Sequence, residues 1–282
     1  MKVESIATRN RRRRPSTKVL GSLALATALG LGSLLAAAPA NAAEVTFADP
    51  ALQACVNQNL GQPDNAPVST SQSASITNLS CSGKNLTNLG GLEKLTSLTD
   101  LDLSQNAITD ISPMSSLSNL TYLTFNGNQI TSLAPLASLG NLRSIYGNQN
   151  QISDLSPLAG LSMLQGFSFD NNTITTLAPI AGLTNLVLVR IPGNQVSDLA
   201  PLATLPNLLW VYADNNQIST LAPLSNATLL REVYVAGNHI ADLSPLGGLP
   251  NLAQVGARDQ TLTLPDVVVG QSYPNPLREP HG

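Results

Sequence analysis

The sequence predicts an α/β solenoid. It reads as a curved stack of short coils with a parallel β-sheet on the concave side, 3₁₀ turns on the convex side and a short helical cap at the N-terminal end. Three periodic features predict this. Asparagine recurs every 22 residues, at Asn106, Asn128, Asn150, Asn172, Asn194, Asn216 and Asn238. Two apolar columns recur with it. One is Leu101, Leu123, Ile145, Phe167, Val189, Val211, Val233 and Val255, and the other is Ile108, Ile130, Ile152, Ile174, Val196, Ile218 and Ile240. Proline follows at Pro113, Pro135, Pro157, Pro179, Pro201, Pro223 and Pro245. A fixed period in this range marks a repeat architecture.

A 22-residue unit is too small to bury its own apolar face, so it stacks on its neighbours. Each fully buried column member contributes about 1.5–3 kcal/mol. Asparagine both accepts and donates hydrogen bonds. It is therefore read as structural, satisfying backbone groups that turn inward where each coil leaves its strand. Proline suits the first position of a helical turn and cannot donate to a ladder. The return arms are therefore expected to be 3₁₀ turns.

The pattern Leu101-x-Leu103-x-x-Asn106-x-Ile108-x-x-Ile111-x-Pro113 resembles the leucine-rich repeat. Its 22-residue length resembles the internalin class of secreted bacterial proteins. The resemblance covers residues 44–282.

Taken in order, residues 1–42 read as a secretory signal peptide. Arg9, Arg11 to Arg14 and Lys18 precede an apolar Val19–Ala38 run, and Ala40-Asn41-Ala42 gives a small-residue cleavage pattern. No membrane span is expected once it is removed. Residues 43–75 read as an N-terminal cap. Asp49-Pro50 starts a helix, the apolar spacing from Ala51 to Leu60 continues it and Gly61 stops it. A helical cap before the repeats also fits the resemblance. Residues 76–260 read as repeats, about eight coils. In the first, Leu79 and Cys81 align with Leu101 and Leu103, and Lys84 takes the asparagine place. Cys81 then points into the core beside the cap helix that carries Cys55. A disulfide between these two, the chain's only cysteines, is expected in an exported protein.

Asp110, Ser132, Asp154, Thr176, Asp198, Thr220 and Asp242 alternate acidic with hydroxyl residues. That spacing sets like charges two coils apart, about 10 Å, close to a Debye length. Residues 261–282 depart from the repeat, with Gln260 at the asparagine place. They resemble the start of the junction into the immunoglobulin-like domain that follows internalin repeats. The 22 residues to Gly282 are too few for that domain.

Composition narrows the function. The formal net charge is −3. From Ala43 onward there are seven basic and sixteen acidic residues, a balance of −9. That excludes the basic face a nucleic-acid partner needs. The two histidines, His239 and His281, have no repeated partner, and no motif supplies a converging catalytic group. No cofactor, metal site or enzyme activity is expected.

Side chains alternate along a strand. The columns flanking the buried one therefore face outward. They place Tyr122, Tyr146, Arg190, Trp210, Tyr212, Glu232 and Tyr234 on the concave face. Trp210, Tyr212, Tyr234 and Arg190 fall on three consecutive strands as a candidate binding patch, since Trp, Tyr and Arg are enriched at binding hot spots. Phe125, Phe167 and Phe169 fall inward instead. The sequence is thus read as that of a secreted, non-catalytic binding protein. The ligand is a protein or, as the alternative, a carbohydrate or cell-wall component. The resemblance implies concave-face recognition of partner proteins and adhesion, with a host cell-surface receptor as the kind of partner.

Overall fold

The computed structural model describes residues 43–261. The expected signal peptide and the tail from residue 262 lie outside them. The chain runs β1 (Glu44–Val45), α1 (Pro50–Leu60), β2 (Val68–Ser69), α2 (Thr70–Ser73), β3 (Asn78–Ser80), β4 (Asp100–Asp102), β5 (Tyr122–Thr124), β6 (Ser144–Tyr146), β7 (Gly166–Ser168), β8 (Leu188–Arg190), β9 (Trp210–Tyr212), β10 (Glu232–Tyr234) and β11 (Gln254–Gly256). Eight 3₁₀ turns separate the strands from β3 to β11.

The helix α1 forms where its end signals place it. The Asp49 carboxylate accepts from the Ala51 N–H at 2.9 Å, Pro50 occupies the first turn, and Gly61 closes the helix at φ 71°. Leu52, Cys55 and Val56, at three- and four-residue spacing, are buried against the first coil. Asp49 also reaches that coil, accepting from the Thr87 N–H at 3.0 Å. Two elements went unforeseen. One is the antiparallel pair β1–β2. The other is α2, whose Ser69 and Gln72 form a reciprocal capping box. Cys55 and Cys81 are disulfide-bonded with Cα atoms 5.7 Å apart.

Strands β3 to β11 make one nine-stranded parallel sheet in sequence order, one strand more than the roughly eight expected. Register advances by one repeat per strand, so Leu101 pairs with Leu123 and Leu123 with Ile145. Both apolar columns are buried with one exception. Val255, on the last strand, is 38% exposed because no described coil lies beyond it. The inward column one strand-face along reads Leu103, Phe125, Gly147, Phe169 and Ile191. A Cβ on Gly147 would sit 2.4 Å from Phe125 Cε2 and 2.8 Å from Phe169 Cε1. The two phenylalanines therefore fill the space of the coil between them.

Each asparagine rung ties its coil to the preceding one. Asn150 Oδ1 accepts from the Ile130 N–H at 3.0 Å. Its Nδ2 donates to Phe125 O at 3.1 Å and Gly147 O at 3.2 Å. The same bonds recur at Asn128, Asn172, Asn194, Asn216 and Asn238. Gln260 reproduces them at the last coil. At the first, Lys84 lends no such donor and instead reaches Gln58 on the cap helix.

The residue before each rung has positive φ in every coil. It is glycine at Gly83, Gly127, Gly193 and Gly237, and Gln105, Gln149, Asn171, Asn215 or Asp259 elsewhere. The alternating Asp/Ser/Thr column has a nearer cause than charge spacing, because these side chains accept from the N–H two residues on, where each 3₁₀ turn begins. Asp110 accepts from both the backbone N–H and the hydroxyl of Ser112, and Asp154 does the same with Ser156. Ser132, Thr176 and Thr220 accept from Ala134, Ala178 and Ala222. A second amide ladder runs between the turns and the next strands. Asn119, Asn141, Asn185, Asn207 and Asn251 each donate to a carbonyl 23 residues earlier, at 2.8–2.9 Å. Met163 and Leu229 occupy the two remaining places and are 41% and 42% exposed.

Candidate functional site: the concave face

The sheet places all seven predicted site residues on its outward face. The structure divides them into two groups. Tyr122 and Tyr146, on β5 and β6, have ring centroids 5.3 Å apart at 40°. Trp210, Tyr212, Tyr234, Arg190 and Glu232 lie on β8, β9 and β10. Between them β7 carries Gly166 and Ser168, too small to bridge the groups, and Leu188 leans over Gly166. Phe125, Phe167 and Phe169 are fully buried, as expected.

In the second group Arg190, Tyr212 and Tyr234 form a continuous stack that ends on Gly256 of a fourth strand. Arg190 donates from Nε and Nη2 to Asp170 Oδ2, at 2.8 and 2.6 Å. Its guanidinium carbon lies 5.3 Å from the Tyr212 ring centroid. Tyr212 and Tyr234 stack at 5.3 Å and 17°. A Cβ on Gly256 would meet the Tyr234 ring at 2.5 Å, so that ring lies down on the glycine of the next strand. The hydroxyls are held as well: Tyr212 donates to Glu232 at 2.7 Å and Tyr234 donates to Gln254. Burial and the adjoining Glu232 carboxylate push the Tyr212 phenol up to about 12. In the first group, burial raises the Tyr122 phenol, with Tyr146, Asp102 and Asp100 adding to it.

Sequence reasoning missed three contributors: Asp170, Gln254 and Pro192. Gln254 continues the outward column of Trp210 and Glu232, while Asp170 and Pro192 share a column two residues before each rung. There Asn126 accepts from the Asn148 N–H, Asn148 from the Asp170 N–H, and Asp214 from the Ala236 N–H. Asp170's counterpart is Pro192, which has no N–H to give. Its carboxylate is thereby left to hold Arg190.

No helix among the described residues is long and apolar enough to cross a membrane. The family model described as leucine-rich repeats (2 copies) matches residues 75–116 and 118–160. No curated protein sequence matches the chain. Among solved structures, internalin C2 of Listeria monocytogenes is 39% identical, with 77% of this chain and 94% of that one covered and a TM-score of 0.72. The internalin InlF of the same organism is 31% identical, with 78% and 72% covered and a TM-score of 0.68. A leucine-rich-repeat protein of Leptospira interrogans shares the fold at 23% identity and a TM-score of 0.64, with 69% and 52% covered. Repeat, register and identity agree, and the chain belongs to the internalin-like leucine-rich-repeat family.

Proposed function

We propose that this protein is a secreted, non-catalytic adhesion or recognition module that binds a protein partner on its concave face, with Trp210, Tyr212, Tyr234 and Arg190 as the central contacts. The observation that carries the choice of a protein ligand is the occupancy of the two tyrosine faces beside Trp210. Sugar recognition by stacking needs a free ring face. Tyr212 has Arg190 on one side and Tyr234 on the other. Tyr234 lies between Tyr212 and Gly256. What these rings offer a ligand is edges and held hydroxyls beside Trp210, which suits the mixed apolar and polar surface of a protein. The internal stack also pre-orders the side chains, which lowers the entropy cost of binding. Family membership and the Cys55–Cys81 disulfide support export to a surface or extracellular setting, where a host receptor is the kind of partner adhesion requires.

The test is affinity capture from animal-cell surface extract and from bacterial cell wall. The chain is compared with a Trp210→Ala/Tyr212→Ala/Tyr234→Ala variant of matched circular dichroism. A protein retained by the chain and lost by the variant is the expected result. Retention of polysaccharide by the chain and not the variant selects the carbohydrate reading. Equal capture by both overturns the assignment of these residues.

A further inference from the structure

We propose that the N-terminal end of the concave face holds a second subsite that takes a lysine or arginine side chain of the protein partner, between Asp100, Asp102 and the Tyr122 ring. This deepens the recognition reading and rests on it. The end of the cap helix meets the first three sheet strands in a depression of about 360 Å³. Its walls include Asn59 from α1, Asn78 and Ser80 from β3, Asp100 and Asp102 from β4, and Tyr122 from β5.

Three independent features give the depression its chemistry. First, its carboxylates are met only by neutral groups. Asp102 accepts from the Ser104 N–H at 2.9 Å and the Ser80 hydroxyl at 3.3 Å, and Asp100 accepts from the Thr99 hydroxyl at 2.6 Å. The two ion pairs among the described residues, Lys94–Glu93 and Arg190–Asp170, lie elsewhere. Asp170 differs, because it is answered by the Arg190 cation. Second, Tyr122 is 41% exposed and has a ring against only one side. Tyr146 packs from β6, while the β4 side borders the depression, where Asp100 is its register partner. A cation placed there meets a ring face and two carboxylates together. Third, the walls come from both the cap and the coils, which the Cys55–Cys81 bond holds in one place.

The test is a solution NMR titration of the purified chain with three probes: N-acetyl-arginine amide, N-acetyl-citrulline amide and calcium chloride. Citrulline keeps the shape of arginine and lacks its charge. The expected result is saturable shifts at Asp100, Asp102 and Tyr122 with the arginine probe, weakened by raised salt and absent with citrulline. Asp100→Asn/Asp102→Asn should weaken binding by about tenfold or more, and Tyr122→Leu by a smaller factor. Equal shifts with citrulline overturn the proposal. So do shifts confined to other residues, or tighter binding of calcium at these aspartates. The readout does not involve Trp210, Tyr212 or Tyr234. A negative titration with successful capture removes this subsite alone, and failed capture with a positive titration removes the aromatic patch.

Discussion

Replacing Asn150 by alanine tests how the ladder holds the coils together. The rung is 9% exposed, and its amide makes one accepted bond and donates to three carbonyls. The four groups it serves are not equally dependent on it. Phe125 O also accepts from Asn128 at 3.0 Å, Gly147 O from Asn172 at 3.0 Å and Asn148 O from the Gly127 N–H at 2.8 Å. The Ile130 N–H has Asn150 Oδ1 as its partner. Asn150→Ala therefore strands one buried donor, at about 1–3 kcal/mol, and thins three carbonyl sites that each keep another partner, at about 0.5 kcal/mol each. The expected loss is about 2.5–4.5 kcal/mol. Urea unfolding followed by both circular dichroism and Trp210 fluorescence measures it, since two probes detect any breakdown of cooperativity along the stack. Asn150→Asp separates hydrogen bonding from packing. Its carboxylate still accepts from Ile130 but faces three carbonyl oxygens, so the folded state favours the protonated acid. With the folded pKa above the unfolded value of about 3.9, this variant's stability should be highest below that value. It should fall as pH rises through the folded pKa. A loss below about 1 kcal/mol for Asn150→Ala, or an Asn150→Asp stability that follows Asn150→Ala at every pH, would refute this account of the rung.

The other predictions concern the parts around the ladder. Met163→Asn and Leu229→Asn complete the outer amide ladder, whose partners would be the carbonyls of Gly140 and Pro206. Each should raise stability by about 0.5–1 kcal/mol in the same urea assay. Cys55→Ala/Cys81→Ala opens a loop of 26 residues and should cost about 3.5 kcal/mol on the chain-entropy model. Asp49 is pulled in opposite directions. Partial burial raises its pKa, but bonds from the Thr87, Ala51, Asn88 and Leu52 backbone outweigh that and leave it below 3.8. Its stabilisation is therefore present above the unfolded pKa and lost as pH falls through the folded one. Acid unfolding curves should show less loss in Asp49→Asn than in the unmodified chain. Glu232→Gln removes the charge that helps hold the Tyr212 phenol near 12, and an ultraviolet titration should find that tyrosine ionising at lower pH.

What was legible in the sequence was whatever repeats. Nine coils in register make each column a set of equivalent positions, so the inward leucines, the rungs and the outward tyrosines follow from spacing alone. The αL residue before each rung repeats too. It went unread because glycine shares the place with Gln105, Gln149, Asn171, Asn215 and Asp259, which hides a backbone requirement behind mixed chemistry. The outer amide ladder is interrupted by Met163 and Leu229, which breaks its period in the sequence. The β1–β2 pair was illegible for another reason: strands of two residues carry no alternation to detect. The aspartates of the alternating column were read through long-range charge, while the structure uses them within two residues, in local turns onto the next N–H groups.

The division of labour among these columns explains why the site sits where it does. The inward bonds of each coil are met by the rungs and its apolar burial by the inward columns. The concave outward positions are left with few obligations to the fold. They differ from coil to coil, from Asp100 through Gly166 to Trp210, while the rungs stay constant from Asn106 to Asn238. Pro192 marks the point where the two demands meet. At that coil the chain forgoes one backbone-to-side-chain bond of the Asn126–Asn148–Asp170 series. The freed carboxylate instead fixes Arg190 against Tyr212. A bond that would have joined two coils orders the concave face instead, and it does so beside the largest cluster of aromatic side chains on that face.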